Sequence, residues 1–129
     1  MRRQTKAWLD SALDDLGVVE EIIDREDLTH MIAFHCQQSI EKSFKAVLEE
    51  HEQNVPRIHD LITLYAQAEK YIRLTLDSAL LNQLNELYMD ARYPSELGLL
   101  PSGKPPLDLA REMFIFARRA LDTIEQSIE

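Results

Sequence analysis

Proline placement constrains this chain most. Four of its five prolines fall in one stretch of 15 residues, Arg92 to Pro106, together with two of its three glycines. Proline cannot donate the helical hydrogen bond and its ring clashes with the preceding turn, so it is kept out of helix interiors. Apart from that stretch, only Pro56 and Gly17 interrupt the chain. The uninterrupted segments carry apolar residues at three- and four-residue steps with little strand-like alternation, which predicts helices.

The first helix spans about Gln4 to Asp24. Its apolar stripe is Trp8, Leu9, Ala12, Leu13, Leu16, Val19, Ile22 and Ile23, with Asp10, Asp14, Asp15, Glu20 and Glu21 mostly off it. Gly17 is unfavourable inside a helix, and its missing side chain would let another helix approach closely. The second helix starts near Asp27 or Thr29, either of which can cap free N–H groups, and runs to about His51. Asn54-Val-Pro56 is expected to stop it. The third starts near His59-Asp60 with Asp60 as its cap, and buries Leu61, Ile62, Leu64, Tyr65 and Ala68. The fourth carries Leu76, Leu80, Leu81, Leu84, Leu87 and Tyr88 and ends near Asp90. The proline-rich stretch follows as a loop longer than the usual helix connection. The last helix runs from about Leu107 to Ile128. The fold read from this pattern is all-α: an antiparallel up-and-down bundle of four long helices and one short one, in a single domain over residues 1–129.

The net charge of −9 argues against coating nucleic acid through diffuse positive charge. Three glycines leave no dinucleotide-binding fingerprint and no P-loop. One cysteine, Cys36, excludes an internal disulfide and a multi-cysteine metal site. That and the lack of a signal-like N-terminal segment lead us to expect the cytoplasm. No apolar run approaches the ~20 residues that cross a bilayer, so no membrane association is expected. Neither a metal nor another cofactor is expected. The four histidines, His30, His35, His51 and His59, show no Glu-x-x-His or His-Glu-x-x-His spacing.

Two polar groups stand out. In the first, Gln38, Glu41, Lys42 and Lys45 lie three or four residues apart and share a helical face. Glu41 and Lys45 form an i, i+4 pair worth about 0.2–0.5 kcal/mol if exposed. In the second, Arg57, His59 and Asp60 lie at the start of the third helix while Arg92 and Tyr93 follow the end of the fourth. Arginine suits bidentate phosphate contacts, histidine titrates near neutrality, and an aromatic ring can stack on a base. Lys42, Lys45, Arg57, His59, Arg92 and Tyr93 are therefore the candidate ligand contacts.

The order of these motifs resembles that of HEPN domains (higher eukaryote and prokaryote nucleotide-binding). Ala33 to Leu48, with Gln37, Gln38, Glu41 and Lys42, is similar to the family's second-helix signature. Pro56 with His59-Asp60-Leu61 follows in the family order, and Ala91-Arg92-Tyr93-Pro94 after that. The resemblance spans about Lys6 to Ile124. It implies an up-and-down bundle, often a homodimer, that binds a nucleotide or RNA or partners a minimal nucleotidyltransferase, sometimes as a toxin–antitoxin pair. Other members are metal-independent endoribonucleases with a histidine four to six residues beyond an arginine. Here the positions after Arg92 where it would fall read Leu97, Gly98 and Leu99, and no histidine follows His59. The one literal match, Arg25 to His30, lies between the first two helices.

The expectation is thus a nucleotide-binding or nucleotidyltransferase-partner module without an assigned catalytic residue. The alternatives are an endoribonuclease with a displaced site, Arg25 with His30 or Arg92 with His59, and a purely structural dimerisation module.

Overall fold

The computed structural model describes residues 1–92 and 104–129, with the backbone alone at 89–92. Five helices follow one another: α1 (Arg3–Ile22), α2 (Thr29–Glu50), α3 (Leu61–Ala68), α4 (Ser78–Arg92) and α5 (Leu107–Ile128), with a short 3-10 turn at Glu26–Leu28 before α2. The described residues contain no strand. Tyr93 lies outside them, as does most of the expected proline-rich loop.

Helix α2 is the central element and packs against each of the other four. Its sequence allows this, because apolar residues and small hydroxyls occupy almost every side of its second half. Ile40, Phe44, Val47 and Leu48 are buried, and so are Ser39 and Ser43. The two serines spend their hydroxyls on backbone carbonyls, Ser39 on Ala12 (2.9 Å) and Ser43 on Ser39 (2.7 Å), as buried polar groups must. Side-chain pairings give the helix directions. Asp15 meets His35 and Lys42, while Thr5 meets Glu50, so α1 and α2 are antiparallel. Phe34 stacks on Tyr88, whereas the later residues Gln37 and Glu41 reach His59, next to the Asp60 that Asn85 holds. Helices α2 and α4 therefore also run antiparallel. Arg118 pairs with Glu20 and Arg111 with Asp24 on the α1–α5 seam.

Several boundaries differ from those read in the sequence. Neither Asp27 nor Thr29 caps α2. Leu28 holds the cap position without a side-chain hydrogen bond, Asp27 is taken by Arg25, and Thr29 is already the first helical residue. At its other end α2 stops several residues before Pro56. Glu52 adopts a left-handed φ of 56°, the Gln53 N–H reaches the Leu48 carbonyl (2.9 Å) and the Glu52 N–H reaches that of Glu49 (3.1 Å). These are the two bonds of a Schellman stop. Asp60 does cap α3: its carboxylate accepts from the Ile62 N–H (3.2 Å), the Thr63 hydroxyl (2.6 Å) and Asn85 (2.8 Å).

On α1 the apolar stripe is rotated from the expected one. Leu13 is 44% exposed and Asp15 is buried. Gly17 lets nothing approach: a side chain built there would meet no atom within 4 Å.

Candidate functional site

Glu41 anchors the most connected polar cluster. It lies on the side of α2 that faces the start of α3, and only 4% of it is exposed. Lys45, one turn later and 5% exposed, donates to Glu41 Oε2 (3.0 Å). Gln37, one turn earlier, donates to Glu41 Oε1 (3.2 Å) and to the His59 carbonyl (3.1 Å), while Gln38 donates to Gln37 (2.7 Å). His59 Nδ1 lies 3.0 Å from Glu41 Oε1. A carboxylate only accepts, so this imidazole turns an Nδ1–H toward Glu41 and its Nε2 edge elsewhere.

The chain reaches His59 for a local reason. Asp60 caps α3, and Asn85 of α4 both holds the Asp60 carboxylate and accepts the Leu61 N–H (3.0 Å). The residue before that cap is thereby placed between α2 and α4. Several donors hold the Asp60 carboxyl below its ordinary range, Thr63 first and then Asn85 and the first-turn amides, against a burial effect in the opposite sense. The His59 side chain is 38% exposed and its ring tilts against Tyr88 at 5.7 Å between centroids. Tyr88 also stacks on Phe34 at 5.6 Å. An aromatic pair and a half-open imidazole thus share one site.

A second cluster sits on the α1-facing side of α2. Asp15 accepts from Lys42 Nζ (2.8 Å) and lies 2.9 Å from His35 Nδ1. The Phe34 and His35 rings pack at right angles, 5.2 Å between centroids. Two carboxylate–imidazole–ammonium groupings therefore flank the Phe34–Tyr88 pair, one through His35 and one through His59.

Of the candidate contacts, the structure brings Lys45 and His59 together on Glu41. Lys42 turns away from them to Asp15. The shared face expected for Glu41, Lys42 and Lys45 is thus divided between two seams, and the Glu41–Lys45 pair, expected as an exposed one, is buried. Both ammonium groups are engaged by carboxylates, and Lys45 also lies over the Trp8 ring at 5.6 Å. Arg57 is exposed two residues before His59, with no hydrogen bond or ion pair among the described residues. Arg92 ends α4, one helical turn after Tyr88. No hydrogen bond or ion pair joins Arg25 to His30, the literal arginine–histidine spacing: Arg25 grips Asp27 with two bonds (2.9 and 2.8 Å).

Sequence reasoning missed Asp15 and His35 as partners and gave Phe34 no role. The signal was the acid at position 15, next to the stripe of α1, opposite basic residues seven apart on α2. Cys36 is inert: burial first, and the nearby Asp15 charge second, raise its thiol pKa far above the ordinary value. Among the described residues no group of His, Cys, Asp and Glu is arranged to hold a metal, and no helix is long and apolar enough to cross a membrane. A groove of about 360 Å³ between α5 and the start of α4 is lined by Leu76, Leu80, Phe116 and Arg119, among others, and includes none of the residues of the two clusters.

The sequence model of the HEPN domain matches residues 5–127, nearly the whole chain. No curated protein and no solved structure matches it.

Proposed function

The chain belongs to the HEPN domain family, and we propose that it serves as a nucleotide-binding module whose site opens at His59. The family supports a nucleotide-binding or ribonuclease-type module in general. The observation that carries the finer reading is the buried Glu41 carboxylate, which holds His59 against Tyr88 while leaving the imidazole partly open. Such an edge can hydrogen-bond a base, the half-buried Phe34 ring beside it can stack on one, and the exposed Arg57 suits a phosphate. Arg92, the last residue of α4, and Tyr93, which follows it in the sequence, complete this proposal. Lys45 is assigned to holding this site together and Lys42 to the α1 seam, rather than to the ligand, because each already neutralises a carboxylate. No cleavage step is assigned, since the sequence beyond Arg92 offers no imidazole.

The protein-facing half of the proposal is a minimal nucleotidyltransferase as partner, as in toxin–antitoxin pairs, with the chain as a cytoplasmic homodimer. Calorimetry with ATP and GTP tests the ligand. We expect saturable binding that falls about tenfold or more in Arg57→Ala or His59→Ala, the scale of one charge-assisted contact. No heat from either nucleotide would overturn the assignment. A gel assay with labelled RNA and EDTA decides the competing reading: cleavage abolished by His59→Ala would make this chain a ribonuclease. Light scattering at tens of micromolar tests the dimer, and a monomer would count against it.

A further inference from the structure

The antiparallel register of α2 and α4 brings the first turn of one to the last turn of the other. Phe34 stacks on Tyr88; one turn back on α2 is His30, and one turn on along α4 is Arg92. At this end of the seam the first turn of α2 is unusual in three ways. It has no side-chain cap. The Thr29 hydroxyl, on a residue only 1% exposed, has no hydrogen-bond partner among the described residues, and neither has the buried His30 Nδ1. Lys104, whose Nζ donates to the Asp27 carbonyl (2.8 Å), sits close enough to act on the His30 ring. Burial first, and then the Lys104 charge, lower the pKa of His30.

The uncapped helix start, the unpartnered Thr29 hydroxyl and the Lys104 ammonium each suit an anion, while His30, whose charged form is disfavoured, offers only a neutral N–H donor. The start of a helix carries free N–H groups and the positive end of the helix dipole. Buried polar atoms without partners are rare and call for a water or a ligand. A water would satisfy them without a cation nearby, but Lys104 adds one. Of the two acids in the preceding turn, Asp27 is neutralised by the two bonds from Arg25, which leaves Glu26.

We propose that the terminal phosphates of a nucleoside triphosphate bind at the first turn of α2, held by Thr29, His30 and Lys104, beyond the base-side phosphate that falls to Arg57. This rests on the reading that the base binds at His59. The level of Gln37, which bonds the His59 carbonyl, is eight residues along α2 from Thr29. At 1.5 Å per residue that is about 12 Å, a span comparable to an extended nucleoside triphosphate.

Three probes separate the two readings: ATP, adenosine and inorganic pyrophosphate, each titrated calorimetrically into the wild type, Thr29→Val and Lys104→Met. Both variants should bind ATP and pyrophosphate at least fivefold more weakly and adenosine unchanged. Thr29→Val should melt at or above the wild-type temperature, since it removes a buried hydroxyl that lacks a partner, so its lost binding cannot be ascribed to unfolding. Equal binding of ATP and adenosine, with neither variant altering it, would overturn the phosphate site and leave the His59 reading standing. Pyrophosphate binding that ignores both substitutions would also overturn it. A wild type that binds none of the three probes would overturn both.

Discussion

Replacing Glu41 by glutamine should be among the most damaging single-atom changes available in this chain. Glu41 is 4% exposed and Lys45 5%, so both members of the pair have left water. The variant keeps the shape and removes the charge, which leaves the Lys45 ammonium buried without its counterion and a single amide oxygen where two carboxylate oxygens served Gln37, His59 and Lys45. Breaking a buried pair by removing one partner costs about 3–5 kcal/mol. For a chain of this length each kcal/mol lowers the melting temperature by roughly 3–5 °C, so a fall of about 10–20 °C is expected. Replacing both members, Glu41→Gln with Lys45→Met, should recover most of that loss, because the uncompensated charge is gone. Urea denaturation of the wild type, the two single variants and the double variant gives the coupling directly. A Glu41→Gln loss below about 1 kcal/mol, with no coupling to Lys45, would show that the carboxylate behaves as an exposed one and that the cluster is not the anchor of the site.

Three other outcomes follow from the same geometry. Gly17→Ala should stabilise the protein by about 0.5–1 kcal/mol, since the position is mid-helix and open; a destabilisation in thermal melts would mean that another chain occupies that space. Asp60→Ala should cost about 1–2 kcal/mol through loss of the α3 cap. The folded-state pKa of Asp60 is lowered, so its contribution is present above the ordinary Asp value near 3.9 and is lost as pH falls through the folded value; the gap between wild type and variant should close in acid, and a gap that persists there would contradict the carboxylate's role. Cys36 should resist a thiol reagent in the native state and react fully in urea, and rapid native labelling would refute its burial.

The helices were legible because they depend on short-range periodicity, and the Asp60 cap because it depends on one residue and its own next turn. The stop of α2 was not. It uses Glu52 in a left-handed conformation that sequence associates with glycine or asparagine, so the nearest proline looked responsible instead. The site was half legible for a different reason. Glu41, Lys42 and Lys45 lie within about 100° of one another on α2, which is a single face only when a helix has one neighbour. Because α2 has neighbours on every side, a rotation of that size sends Lys42 to α1 and Glu41 to α3. Asp15 was unreadable in the same way: its burial is decided by His35 and Lys42 across the seam, and the periodicity of α1 contains neither.

The most direct test of the His59 site is a titration of isotope-labelled protein with ATP, followed residue by residue through its backbone amide signals. The account predicts saturable shifts concentrated at Arg57 to Leu61 and around Leu84 to Tyr88, and their loss in His59→Ala. Shifts confined to the Leu76–Phe116 groove, or none at all, would contradict it.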